Sequence, residues 1–383
     1  MVVAVARKSE PASGAASPVQ AKLRVAALEK RYGAFTALRP TDLSVSPGEF
    51  LTLLGPSGSG KTTLLMMIAG LTMPSGGEIW IDGRQSTWAP PYDRDVGVVF
   101  QNYALFPHLS VYENVAFPLR MRGTPSAEIR RQVERILEVV GLPHAAERLP
   151  SELSGGQQQR IALARCAVYG PSIILMDEPL GALDKKLRDT MQVEIKRMHR
   201  EIGSTIIYVT HDQGEAMSMS NRICLMNNSA IEQIGRPEEL YFNPVNRFVA
   251  DFLGGTNFLR CTLAANDGEM ARAQGPLGAS FPVAVPAGTG LCAGAAVDVM
   301  LRPQHIRLAS AADPSGCSLQ AVITDRVVTG MTTEYHARLA DGTALVAVDL
   351  TDRTARRTEI GDEVFLAWNA LNGVALPVGE EAR

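Results

Sequence analysis

No apolar run in this 383-residue chain approaches the 18 to 20 consecutive residues that would cross a bilayer as a helix. The N-terminal stretch Val2-Val3-Ala4-Val5-Ala6 is short and runs directly into Arg7-Lys8-Ser9-Glu10, which makes a poor export signal. Any membrane role must therefore pass through a partner. Cysteine is scarce and scattered: Cys166, Cys224, Cys261, Cys292 and Cys317 offer no C-x-x-C spacing for a metal or a redox pair. An odd, dispersed set points to free thiols in a reducing compartment. Basic charge is not in surplus either. Lys and Arg number 37 against 40 Asp and Glu, so the formal net charge is −3 and there is no electrostatic footprint for nucleic acid.

What is present is a globular balance of 46% hydrophobic and 20% charged residues, in a chain too long for one ordinary core. Two domains are the natural expectation. Residues 1–21, rich in Ala, Ser and Pro, read as a flexible tail. Structure is expected from Lys22, with a strand at Leu23-Arg24-Val25-Ala26-Ala27-Leu28.

Glycine concentrates in Gly55-Pro56-Ser57-Gly58-Ser59-Gly60-Lys61-Thr62, between the apolar run Phe50–Leu54 and the helix-like run Thr63–Ile68. This is the phosphate-binding pattern G-x-x-x-x-G-K-[ST] in its expected strand–loop–helix setting. Glycines let backbone N–H groups turn inward around a polyphosphate, and the helix dipole adds a positive end. Lys61 should reach the outer phosphates, and the Thr62 hydroxyl is a ligand for Mg²⁺.

Short continuous apolar runs at Ser172–Met176 and Thr205–Val209, separated by a helix pattern over Leu187–Ile202, indicate parallel strands covered on both faces. That is α/β winding, with ligands at the carboxyl ends of the strands. There the sequence puts Asp177 and Glu178: Asp177 suits a metal held through water, and Glu178 can accept a proton from an attacking water. His211, at the end of the next strand, can touch a terminal phosphate, although a lone histidine is more often a surface or core residue. Ile129, Val133, Ile136, Leu137 and Val140 mark an amphipathic helix over 127–140. Leu153-Ser154-Gly155-Gly156-Gln157 precedes a helix expected to begin at Ile161 and offers a second set of backbone donors for an anion. One nucleotide and two phosphate-gripping ends suggest head-to-tail pairing of two chains. Beyond residue 255, Asp267-Gly268, Asp341-Gly342 and Asn372-Gly373 are hairpin signals, and a small β-barrel-like domain is expected over 256–383.

Taken together, these motifs resemble the ATP-binding subunit of ABC importers that carry a C-terminal TOBE domain, and the resemblance covers residues 22–383. It implies a P-loop NTPase cassette over 22–255, with a RecA-like core and a helical subdomain, and an OB-like regulatory domain over 256–383. ATP and Mg²⁺ are the implied ligands. Tyr32 would stack on adenine, Gly55 to Thr62 would form Walker A with Thr63 near the nucleotide, and Gln101 would sense Mg²⁺ and water. Ser154, Gly155, Gly156 and Gln157 belong to the signature, Asp177 and Glu178 close Walker B, Asp184 closes the D-loop, and His211 is the switch histidine.

The implied assembly is a homodimer on the cytoplasmic face of the inner membrane. It would bind integral-membrane permease subunits and, through them, an extracytoplasmic solute-binding protein, with no role for nucleic acid. Two positions depart from the usual pattern: Gly181 replaces the D-loop Ser, and the turn in Met226–Ile231 lacks a glycine, although Asn tolerates the same positive φ. Residues 103–112, after Gln101, suit either a permease groove or the core. The text at Ile234–Tyr241, Gly254–Phe258 and Leu301–Leu308 is most like that of spermidine/putrescine importers; ferric-iron, aminoethylphosphonate and sugar importers share much of it. A soluble ABC-type ATPase would need coiled-coil insertions, a second cassette or a basic surface, and none is visible. A binding module without turnover would be expected to lack Lys61 or Glu178.

Overall fold

The computed structural model describes residues 21–181, 183–266, 270–286, 289–352 and 358–378. The expected tail falls, apart from its last residue, outside the described residues, as does the turn expected at Asp267-Gly268. A six-stranded sheet forms the centre of the first part. Its order is Ala230–Gly235, Arg222–Asn227, Phe50–Leu54, Thr205–Thr210, Ile173–Asp177 and Val96–Val99. All neighbours are parallel except the edge hairpin Arg222–Asn227 with Ala230–Gly235. Every residue of Phe50–Leu54 and Thr205–Thr210 is buried, which is why these strands read as continuous apolar runs rather than alternating ones.

The edge hairpin closes without glycine. Asn228 and Ser229 take φ of 46° and 61°, the two-residue geometry that matches strand twist. The Ser229 hydroxyl donates to the Thr36 carbonyl at 3.1 Å, and the Arg39 amide donates to the Ser229 carbonyl at 2.7 Å, so the single strand Phe35–Val45 holds the strained turn. The strand expected to stop near Leu28 continues to Tyr32 in a four-stranded antiparallel sheet with Phe35–Val45, Gly76–Ile81 and Arg84–Gln85.

Three helices, Val111–Met121, Ser126–Val139 and Gly155–Ala167, pack through Val115, Leu119, Val133, Leu137 and Ile161. The last starts at Gly155, not at Ile161. Ser154 makes this possible by capping: its hydroxyl accepts from the Gln157 amide at 3.4 Å, while the Gln157 side-chain oxygen accepts from the Ser154 amide at 2.9 Å.

The C-terminal part holds two sheets rather than the single small barrel expected. One is a closed barrel ordered Asn257–Asn266, Met270–Gln274, Ser280–Ala284, Gly373–Pro377 and Ala296–Leu301. The other is a five-stranded sheet ordered Arg307–Ala309, Glu363–Ala367, Ser318–Val328, Thr332–Arg338 and Ala344–Leu350. They share one core, in which Trp368 lies edge-on to Phe281 with ring centres 5.2 Å apart. The Asp341-Gly342 hairpin forms as expected. Asn372-Gly373 does not turn a hairpin, because Glu363–Ala367 and Gly373–Pro377 belong to different sheets and buried Trp368 sits between them.

Where the two parts meet, buried Arg302 donates to the carbonyls of Ala250 and Gly254, both at 2.7 Å, and of Tyr241 at 3.0 Å. Its guanidinium lies 4.3 Å from the centre of the Tyr241 ring. Buried Asp298 sits between Arg247 at 3.3 Å and Arg260 at 3.2 Å.

Candidate functional site

The strand Phe50–Leu54 ends at Gly55, with φ 152°. A Cβ there would lie 2.1 Å from the Met226 carbonyl oxygen, so only glycine lets the loop pass beneath the neighbouring strand. The helix Lys61–Ala69 then begins with no side-chain cap and no acidic residue in its first turn. Its free N–H groups and the positive end of its dipole face the loop. Lys61 is 5% exposed, and its ammonium donates to the carbonyls of Gly55 and Pro56, both at 2.8 Å. Burial pulls its pKa below the usual lysine value, and the carboxylates of Glu178 and Asp177 push back.

Asp177 is the last residue of Ile173–Asp177, and its Oδ1 accepts from the Thr62 hydroxyl at 3.0 Å. Burial raises its pKa first of all; the Thr62 hydrogen bond lowers it, Glu178 raises it again and Lys61 lowers it. Glu178 adopts φ 45°, a strained value for a side chain of this size. Its amide donates to the Val209 carbonyl at 3.1 Å, and Oε1 lies 3.2 Å from Nδ1 of His211. Gly181 sits beside Glu178 and Gln101. A Cβ at that position would be 3.4 Å from the Gln101 amide nitrogen and 3.8 Å from Glu178 Oε2, an ordinary contact, so a Ser there would fit.

Thr62 with Asp177 and Glu178 with His211 are thus joined by direct contacts, Lys61 is coupled to both acids electrostatically, and Gln101 lies with Glu178 around Gly181. Other expected site residues are not joined to them. Tyr32 is exposed in the antiparallel sheet, with the Lys30 ammonium 4.7 Å from its ring centre and exposed Phe35 paired across the hairpin. Among the described residues, no hydrogen bond connects Ser154, Gly155, Gly156 or Gln157 to residues 55–63. Ser154 is exposed, whereas Gly156 is buried against Leu187 and Met191. Asp184 caps the helix Lys185–Ile202 by accepting from the Leu187 amide at 3.0 Å. The segment 103–112 divides between its two readings: Tyr103 and Val111 are core, Pro107 and His108 are exposed, and the Phe106 ring packs at a tilt against half-exposed Phe117, with centres 4.7 Å apart.

Two arginines have roles that the sequence motifs do not assign. Arg165 donates to the carbonyls of Tyr103 at 2.9 Å and Ala104 at 2.8 Å, both residues with positive φ. A single charge in the apolar stretch Ile161–Ala167 was the available signal. Arg188 bonds Asp212 and the Leu183 carbonyl, and no local pattern pointed to it.

Among the described residues, no three His, Cys, Asp or Glu gather into a metal centre. A hydroxyl and one carboxylate at 3.0 Å instead suit a hard cation that keeps water and phosphate oxygens as its remaining ligands. The arrangement can hold a polyphosphate at the loop, a divalent cation beside it, and a base, Glu178, with a histidine partner.

Residues 38–181 match the ABC transporter family, and residues 299–376 match the TOBE domain family. A spermidine/putrescine import ATP-binding protein of Rubrobacter xylanophilus is 47% identical over 91% of this chain and 92% of its own. A solved component of an ABC transporter complex from Clostridium perfringens is 30% identical, with a TM-score of 0.55, covering 57% of this chain and 90% of that one. An ATP-binding cassette solved as a dimer with ADP and Pi is 33% identical, with a TM-score of 0.50, over 56% of this chain and 98% of that one.

Proposed function

The chain belongs to the ABC transporter ATP-binding subunits that carry a C-terminal TOBE domain, and from that premise we propose that it hydrolyses ATP to drive polyamine import. The observation that carries the reading is likeness across nine-tenths of both chains to proteins named for spermidine and putrescine import, with both domains included. No helix among the described residues is long and apolar enough to cross a membrane. The reading therefore places the chain peripherally, against permease subunits at the inner face. We assign residues 22–255 to the motor and 256–383 to its regulatory part.

Lys61 and the loop amides would bind and orient the β- and γ-phosphates of ATP, with Tyr32 against the base. Thr62 and Asp177, with Gln101, would hold Mg²⁺, which supplies charge neutralisation between the phosphates. Glu178 would take the proton of the attacking water, and His211, 3.2 Å from it, would hold that carboxylate in place. The exposed Ser154 and the first-turn amides of its helix stand apart from the chain's own phosphate loop, which supports a homodimer in which each signature closes on the partner's nucleotide. A relative solved as a dimer with ADP and Pi supports the same arrangement.

The test is co-purification with the permease subunits, reconstitution into vesicles, and a screen of solutes for stimulated ATPase. Spermidine or putrescine, presented with the binding protein, is expected to raise turnover severalfold. Stimulation by ferric iron, aminoethylphosphonate or a sugar instead would keep the motor and overturn the cargo.

A further inference from the structure

Arg188 occupies the first turns of the helix Lys185–Ile202, between the two loops that flank Glu178. Its planar fork is split. One Nη donates to Asp212 Oδ2 at 3.0 Å, and the other donates to the Leu183 carbonyl at 3.2 Å. Leu183 adjoins Asp184 and lies two residues after Gly181, which faces Gln101 and Glu178. Asp212 adjoins His211, whose ring meets Glu178.

The other supports of the histidine segment are already committed. Asp212 Oδ1 accepts from the Glu215 amide at 3.0 Å and so caps the helix Gln213–Met219. Buried Glu215 accepts from the Tyr208 and Thr210 hydroxyls, each at 2.7 Å, which anchors the backbone just before His211. Arg188 anchors it just after, and it alone among these groups also reaches the 181–184 segment. A half-exposed ion pair by itself contributes little, and the second ionic contact, Nε at 3.8 Å from Oε1 of buried Glu215, is too long for a hydrogen bond. A fork that joins two loops fixes their separation, and a lysine at this position could serve only one of them.

We propose that Arg188 is a positioning residue that sets His211 against Glu178 and couples that geometry to the 181–184 segment. This rests on the roles given above to Glu178, His211 and Asp184. Its signature is a loss of turnover without a loss of nucleotide binding, because among the described residues no hydrogen bond or ion pair joins Arg188 to residues 55–63.

The experiment compares the full chain with Arg188→Met and Arg188→Lys in two measurements. Amide hydrogen exchange on the isolated protein should rise in both 180–184 and 210–213 for Arg188→Met while residues 55–63 stay unchanged. Arg188→Lys should protect 210–213 but not 180–184. In the complex with permease, Arg188→Met should lower kcat tenfold or more with KM for ATP within twofold, and Arg188→Lys should fall between. The proposal is overturned by unchanged exchange in either segment, by a kcat within threefold of the parent, or by a loss carried by KM. The exchange data stand whether or not the parent hydrolyses ATP, so failure of the ATPase reading is seen separately, in the parent itself.

Discussion

Asp177, half-buried at the end of its strand, and Asp298, buried within a strand of the closed barrel, are carboxylates handled in opposite ways. Asp298 lies between two arginines at 3.2 and 3.3 Å. Asp177 receives one hydroxyl and faces a second carboxylate, and no ion pair reaches it among the described residues. Withdrawing a charge from water without a close counter-ion is unfavourable, and the proposed cation would supply the missing charge at Asp177. The arrangement at Asp298 is complete in itself and holds two parts of the chain together.

The contrast is most exposed to failure at Glu178. Glu178→Gln should cut ATP turnover by about 10² to 10⁴-fold and leave ATP binding intact, measured by phosphate release and by nucleotide titration. Turnover near the parent value would remove Glu178 from the chemistry. At the junction the prediction is the reverse, with stability lost and nucleotide affinity kept. Arg302→Met strands the carbonyls of Tyr241, Ala250 and Gly254 and should cost about 3 kcal/mol in denaturant unfolding. Asp298→Asn should cost less, about 1 to 2 kcal/mol, because both arginines are more than half exposed and can turn to water.

The smallest effect has the opposite sign. A raised Asp177 pKa means that the folded chain resists ionising this group, so its contribution to stability falls as pH rises through the carboxylate range. Asp177→Asn should therefore melt higher than the parent at pH 7 to 8, by up to about 1 kcal/mol, while losing turnover. The gain should shrink below pH 4, where the parent is protonated too. Loss of the Asp177 charge also removes one group that favours charged Lys61, which keeps the gain modest. A variant less stable than the parent at neutral pH would erase the distinction from Asp298.

Legibility differed between the same two regions. The central sheet was readable because Phe50–Leu54 and Thr205–Thr210 are apolar throughout and are punctuated by the glycine loop and paired acids. The C-terminal strands alternate, and alternation gives the buried face of a strand without naming its neighbour. Hence Asn372-Gly373 read as a hairpin, although the strands on either side part into different sheets. The helix after Ser154 starts six residues before its apolar pattern does, because glycines weigh against helix, a rule that slackens in a capped first turn. Arg188 was invisible for a plainer reason: its partners at 183 and 212 meet only when the loops are folded.

The left-handed backbone at Glu178 bears on how such a chain endures mutation. Glycine would relieve that conformation, so a chain carrying Glu178→Gly should fold as well as the parent or better while doing no work. Quality control that reads only foldedness would pass it. Among the described residues, the contact with His211 would be the one side-chain hydrogen bond given up in such a variant.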